Sequence, residues 1–162
     1  MIQPISEKNR QQVMNFFRKH WGGSQMIISS GTYDCGMLDG YVYVEEATII
    51  GLVTYVLHAD SLEIISLDSI QEGKGIGSRL MAEVEQFALE QNIPKIELIT
   101  TNDNLQALKF YQKRGYRITH IFPNAVMEAR KVKPTIPLIG NDGIPLLDEL
   151  KLQKSSFLKD CC

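Results

Sequence analysis

The stretch SIQEGKGIGSRLM, residues 69 to 81, sets glycines at 73, 75 and 77 directly before an apolar helical pattern. Glycine loses more backbone freedom on folding than any other residue. Such a run is therefore kept where the chain must turn left-handed or where another group comes close to the main chain. The first turn of a helix also has N–H groups without intrahelical partners and a partial positive charge, which together suit an anion such as phosphate. Two familiar phosphate loops do not fit. A Walker loop ends in Gly-Lys-Ser/Thr, whereas Lys74 is followed by Gly75. A dinucleotide fingerprint needs a wider interval before its third glycine and a parallel strand in front of it. What remains is a turn with no ligand, or a loop that holds some other phosphate-bearing molecule.

The surrounding pattern gives the order of elements. Ser6 is the expected cap of a first helix, with Ile5 before it as a staple, Val13, Phe16, Phe17 and Trp21 as its stripe and Gly22-Gly23 as its stop. Residues 24 to 38 read as loop. Tyr41–Val44 and Ile49–His58 are rich in β-branched and aromatic residues, with a turn at Glu45-Glu46. Ala59-Asp60-Ser61 turns into a third strand, Leu62–Leu67. In that strand the apolar phase slips by one residue between Ile64 and Ile65, which signals either a β-bulge or a strand buried on both faces. Beyond the glycines, Leu80, Met81, Val84, Phe87 and Ala88 recur at helical spacing up to Asn92 and Pro94. Lys95–Thr100 is a strand, Asn104 caps a short helix that stops at Gly115, and Tyr116–Phe122 is a further strand. The fold class is α/β in the mixed (α+β) sense, with a mostly antiparallel sheet flanked by helices.

Composition bounds the function. The 162 residues, 44% hydrophobic and 22% charged, suit one domain over 1–162 with a sizeable core. The net charge of −2 and the lack of a basic stripe argue against nucleic acid as partner. The three cysteines, Cys35, Cys161 and Cys162, have no metal-ligand spacing, so no metal is expected, and the terminal pair reads as frayed. The polar opening lacks a signal-peptide core, and Ile49–Leu57 is too short to span a bilayer. A cytoplasmic protein with no membrane partner is expected, and a homodimer is left open as its assembly.

One strand beyond the loop lies NLQALKFYQKRGY, residues 104 to 116. With EGKGIGSRLM it resembles the GNAT superfamily of acetyl-CoA-dependent N-acetyltransferases. That family carries Gln/Arg-x-x-Gly-x-Gly/Ala at a helix start, then Asn-x-x-Ala, a Tyr and a terminal Gly-Phe or Gly-Tyr. Asn104, Ala107, Tyr111 and Gly115-Tyr116 match the second motif at the same spacings, and the resemblance covers about residues 1 to 122. The chain departs from it at Glu72, which stands in the Gln/Arg position.

The resemblance implies a GNAT fold whose sheet is splayed at the cofactor. The N–H groups of Gly73, Lys74, Gly75, Ile76, Gly77 and Ser78 would hold the pyrophosphate of acetyl-CoA. Glu72 would turn its side chain away, Leu67, Asp68 and Ser69 would pair with the pantetheine arm, and Asn104 would hydrogen-bond the cofactor. The reaction would be direct attack of an amine on the thioester, with Tyr111 protonating the leaving thiolate and Glu63 or Asp68 taking the amine proton. His58 and His20 are further titratable candidates. The alternatives are a non-catalytic acyl-CoA-binding sensor and an interaction module. The C-terminal extension, 123–162, contains a candidate helix Ala125–Val132, a turn at GNDG and a last strand at Leu150–Gln153. With its IPLIGNDGIP run it looks like the tail of a bacterial GNAT subgroup. Its apolar residues Ile136, Leu138, Ile139, Ile144, Leu146 and Leu147 are expected to pack. Its acids Asp142, Asp148 and Glu149 either face the amine or sit in turns.

Overall fold

The computed structural model describes residues 1–157, so Cys161 and Cys162 lie outside the described residues. Strands β1 (Ile2–Pro4), β4 (Asp39–Glu45), β5 (Thr48–Leu57), β6 (Ser61–Ser69), β7 (Lys95–Thr101), β8 (Arg117–Phe122) and β9 (Glu149–Ser155) form one sheet. Its order is β1-β4-β5-β6-β7-β9-β8, and only the β6–β7 pair is parallel. Helices α2 (Ile76–Glu90) and α3 (Leu105–Lys113) pack one face through Leu80, Met81, Val84 and Tyr111. Helix α1 (Arg10–Trp21) packs a second cluster through Val13, Phe16 and Phe17, against Val42, Leu52 and Ile65. No helix among the described residues is long and apolar enough to cross a membrane.

The bulge is present at the phase slip. Thr54 pairs with Ser66 and Tyr55 with Ile64, so Ile65 is the extra residue. The strand is also buried on both faces from Ser61 to Ser66, so the two readings of the slip hold together. On its other edge β6 pairs with β7 only over Ser61–Ile64 against Lys95–Leu98. Beyond that point β6 stays with β5, β7 stays with β9, and the sheet opens between them.

Three expectations are corrected. Ser6 does not cap α1: Asn9 occupies that position, and its side chain turns back to accept from the Ser6 N–H at 2.8 Å. Residues 24–38 are not all loop, because Gln25–Ile28 (β2) and Gly31–Asp34 (β3) pair as a hairpin that covers α1's side of the sheet. The signal was weak because Gly31, Asp34 and Gly36 dominate the composition. In the tail, only Leu146 of the six apolar residues is buried; Leu138 and Ile139 are 69% and 55% exposed.

The tail is fastened differently. After helix α4 (Ala125–Val132) the chain returns along the end of β7 and is held by polar groups of the β7–α3 turn. Asn102 Oδ1 accepts from the Leu147 and Asp148 N–H groups, and its Nδ2 donates to the Pro145 carbonyl at 2.9 Å. Buried Asp103 accepts from the Asn141 N–H at 2.8 Å. The chain then enters the sheet as β9, between β7 and β8, with Leu152 fully buried. Leu152→Ala is expected to cost about 2–5 kcal/mol, the range for a buried leucine, and Leu138→Ala less than about 0.5 kcal/mol, as for most surface changes. Denaturant unfolding of both variants measures the contrast.

Candidate active site

The opening between β6 and β7 is a slot running through the sheet. On the α3 side a cavity of about 310 Å³ is lined by Leu67, Asp68, Ser69, Gly77, Asn104 and Tyr111. It continues into a narrower one of about 210 Å³ that shares Leu67, Asp68, Asn104 and Tyr111 and reaches Trp21 and Met26 on the α1 side.

Each wall follows from local sequence. Gly73 and Gly75 have φ of +75° and +70°, the left-handed region that glycine enters at least cost, and a Cβ at either would meet nothing within 4 Å. The loop therefore leaves open space in front of α2, whose first N–H groups face out of the helix end. Gly51 of β5 has no room for a side chain: a Cβ there would lie 2.7 Å from Ile76 Cγ2 and 2.9 Å from the Asp68 carbonyl. That close approach sets the start of α2 against the end of β6. Asn104 caps α3 by accepting from the Ala107 N–H at 3.2 Å while still lining both cavities. Glu72 and Lys74 are exposed on the loop, and Ile76 is buried beneath it.

The sequence candidates separate. Asp68 and Tyr111 come together in the slot. Asp68 Oδ1 accepts from the Trp21 indole N–H at 3.3 Å, and its Oδ2 is buried without a partner among the described residues. Burial pushes the Asp68 carboxyl up to about 6, against a small opposing pull from the Trp21 hydrogen bond. Burial raises the Tyr111 phenol well above its ordinary range, and the Asp68 charge adds to that, so the hydroxyl keeps its proton at neutral pH. Tyr111 also packs in the core, edge-on to Phe110 and Tyr116.

Glu63 lies elsewhere. It is 2% exposed, and its two oxygens meet His58 Nε2 at 2.8 Å and the Ser30 hydroxyl at 2.6 Å. It does not line the slot. His58, Glu63 and Glu97 offer ligand atoms within 4.8 Å of one another. The carboxylates there are already occupied, since Glu97 accepts from Ser61, Gln153 and Lys151. His20 lies against Phe16 on α1, the rings tilted by 51°. In the tail, Asp148 accepts from the Asn124 N–H and buried Glu149 from the Ser29 N–H and hydroxyl; neither lines the slot. Asp142 sits in the GNDG turn, with φ +58°.

Trp21 and Met26 line the slot although neither was a sequence candidate. Trp21 read as the end of a helix stripe and Met26 as loop. An aromatic placed just before a Gly-Gly helix stop was the available signal.

The family model for the acetyltransferase (GNAT) family matches residues 9–116. The chain belongs to this GNAT family. The uncharacterized protein YxbD of Bacillus subtilis (strain 168) is 53% identical over 154 residues, 94% of this chain and 97% of that protein. Among solved structures, an IAA acetyltransferase from Bacillus cereus ATCC 14579 superposes with a TM-score of 0.70 at 20% identity, covering 96% of this chain and 98% of that one. A GNAT family acetyltransferase from Elizabethkingia anophelis, with acetyl-CoA bound, gives 0.69 at 20% identity over 96% and 97%. At such identities the two structures establish the mixed GNAT fold: a seven-stranded, mostly antiparallel sheet flanked by helices.

Asp68 makes the slot costly to the fold. Its folded carboxyl titrates near 6 rather than at the ordinary 3.8, so between those values the folded chain binds more protons than the unfolded one. Stability contributed at this site thus falls as pH rises from about 4 to about 6, and the loss is complete above that. Asp68→Asn is expected to raise stability by roughly 1–2 kcal/mol at pH 7.5, less than the full two-unit shift because the group is only half-buried. It should add little at pH 4. Thermal melts of both proteins at the two pH values measure this.

Proposed function

We propose that this GNAT protein transfers an acetyl group from acetyl-CoA to a primary amine by direct attack, and that the slot between β6 and β7 is where the transfer occurs. The observation that carries the proposal is the pairing of Asp68 and Tyr111 in that slot, one poised to lose a proton and the other to keep it. The chain's groups fit the cofactor. The open left-handed loop in front of α2 suits a pyrophosphate bound by the N–H groups of Gly73 to Ser78. Lys74 adds a charge, and exposed Glu72 is free to turn away. Leu67, Asp68 and Ser69 have no β7 partner at their level, so the extended arm can pair with that edge, and Asn104 borders the same cavity.

In the proposed reaction Asp68 takes a proton from the ammonium, directly or through water. The freed nitrogen forms a bond to the thioester carbon, the carbon–sulfur bond breaks, and Tyr111 gives its proton to the departing sulfur; the second nitrogen proton, lost as the amide forms, restores the Tyr111 hydroxyl directly or through water, and Asp68 releases the first to solvent. The net change is one ammonium and one thioester converted to an amide, a thiol and a released proton. In this reading Glu63 is not the base; it ties the β2–β3 turn to the sheet through Ser30. A sensor or a simple interaction module would have no use for an unpartnered carboxylate beside the slot. The single domain of residues 1–162 performs the reaction, and its IPLIGNDGIP tail groups it with bacterial relatives; the alignment to YxbD over 94% of the chain supports that grouping.

Three outcomes test the reading. Gly75→Asp is expected to abolish acetyl-CoA binding by calorimetry while far-ultraviolet dichroism stays native, since the position has open space and Asp tolerates positive φ better than most residues. Unchanged affinity removes the cofactor site. Tyr111→Phe should lower kcat about 10- to 100-fold, within the range for general acid catalysis, with cofactor affinity within about twofold. In the wild type kcat/KM should climb through pH 6 as Asp68 ionises. A flat profile and normal Tyr111→Phe turnover, measured by thiol release, would leave both groups as packing residues.

A further inference from the structure

On the α1 side, Trp21 is a wall shared by two spaces. One is the slot, and the other is a cavity of about 550 Å³ between the end of α1, the β2–β3 hairpin and the segment after α4. Trp21 is held in place by an edge contact to Phe17, with ring centroids 4.9 Å apart, and by its hydrogen bond to Asp68. A molecule seated in the larger cavity has to pass Trp21 to reach Asp68.

The charged groups lining this cavity are Asp34 and Lys133. Lys133 Nζ donates to the Gln25 carbonyl at 3.3 Å, its only hydrogen bond among the described contacts, and an ammonium has three donors. Gln25 is the register partner of Asp34. One cation and one anion are therefore both tied to the same rung of the hairpin. Asp34 Oδ1 accepts from the Ser24 hydroxyl and from the Gly36 N–H, which hold its carboxylate while Oδ2 keeps its capacity. Thr32, Tyr33 and Thr135 line the same space. A cavity lined by one charge of each sign, and sharing Trp21 with the slot, fits a ligand that is zwitterionic at one end and carries an amine at the other.

We propose that this cavity binds the body of the acceptor, and that the acceptor is a diamino acid: its α-carboxylate meets Lys133, its α-ammonium meets Asp34, and its side-chain amine passes Trp21 into the slot. The inference rests on the transfer reading above and names the class of substrate for that site. The reaction keeps the balance given there, with the side-chain nitrogen as nucleophile and the α-nitrogen unchanged. Lys133 and Asp34 act by binding and set specificity, without touching the reacting atoms.

The test uses the full chain with acetyl-CoA and four amines: L-lysine, L-ornithine, lysinamide without the carboxylate, and 6-aminohexanoate without the α-ammonium. Trp21 is the chain's only tryptophan, so its fluorescence reports on the cavity independently of turnover. Lysine or ornithine should be acetylated on the side-chain nitrogen, shown by mass spectrometry of the product. Their kcat/KM should exceed those of lysinamide and 6-aminohexanoate by about tenfold or more, as for loss of a hydrogen bond to a charged group. Lys133→Gln should erase the preference for lysine over lysinamide, with melting temperature and acetyl-CoA affinity unchanged. Equal use of lysine and lysinamide by the wild type, acetylation of the α-nitrogen, or a preference that survives Lys133→Gln would overturn the proposal. So would the absence of both transfer and fluorescence change at millimolar diamino acid in a protein that binds acetyl-CoA. A fluorescence change without transfer would instead sink the transfer reading and leave the cavity as a diamino acid site. Failure to bind acetyl-CoA would sink the cofactor reading alone.

Discussion

The site depends on one extra residue. At Ile65 strand β6 holds two residues against one of β5, and from that residue onward it no longer pairs with β7. A bulge bends its strand and sharpens the local twist, so the two edges diverge as each keeps its other neighbour. The slot is therefore built from regular strands whose partners lie on opposite sides. Its rigidity comes from the β5–β6 and β7–β9 ladders instead of from a loop, which suits a site that must hold two groups at a set distance. Asp68 and the open backbone edge both belong to the divergent part of β6. The same bulge brings Ile65 onto the α1 face, where it joins the second core cluster.

The second constraint is electrostatic. The slot keeps a carboxylate half-buried with one oxygen unpartnered, and the phenol beside it is held protonated partly by that charge. Burial raises both groups, and the Asp68 charge raises the phenol further, at a cost in folding energy. The carboxylates of Glu63 and Glu97, which face each other in the β6–β7 ladder, are instead fully partnered, by His58, Ser30, Ser61, Gln153 and Lys151. The acids of β6 and β7 thus differ in whether their oxygens are occupied.

Periodicity and glycine spacing made the centre of the chain legible. The helix after the glycines, the Asn104 cap and the phase slip in β6 are local patterns, and each appears where the side chains put it. What was not legible is long-range. Glu63 and Asp68 lie on the same strand, and sequence could not rank them, because the difference is made by Ser30 and His58 on one side and Trp21 on the other. The β2–β3 hairpin was hidden by glycines and polar residues that the turn and the Asp34 bonds require. The tail misled in another way: only one of its six apolar residues is buried, and it is fixed by Asn102 and Asp103, whose sequence context gives only a polar turn.

The place of β9 in the sheet has a consequence for synthesis. Strand β8 is made some thirty residues before β9, yet among the described residues its ladder is with β9 alone. While the ribosome is still adding the tail, β8 has no seat, and the free edge of β7 stands exposed with the slot's far wall unsupported. A nascent chain in that state presents two unpaired edges, the condition under which strands of different molecules join. The last residues of the sheet to be translated are thus the ones that end the chain's vulnerability to its neighbours, and translation that pauses before residue 155 prolongs it.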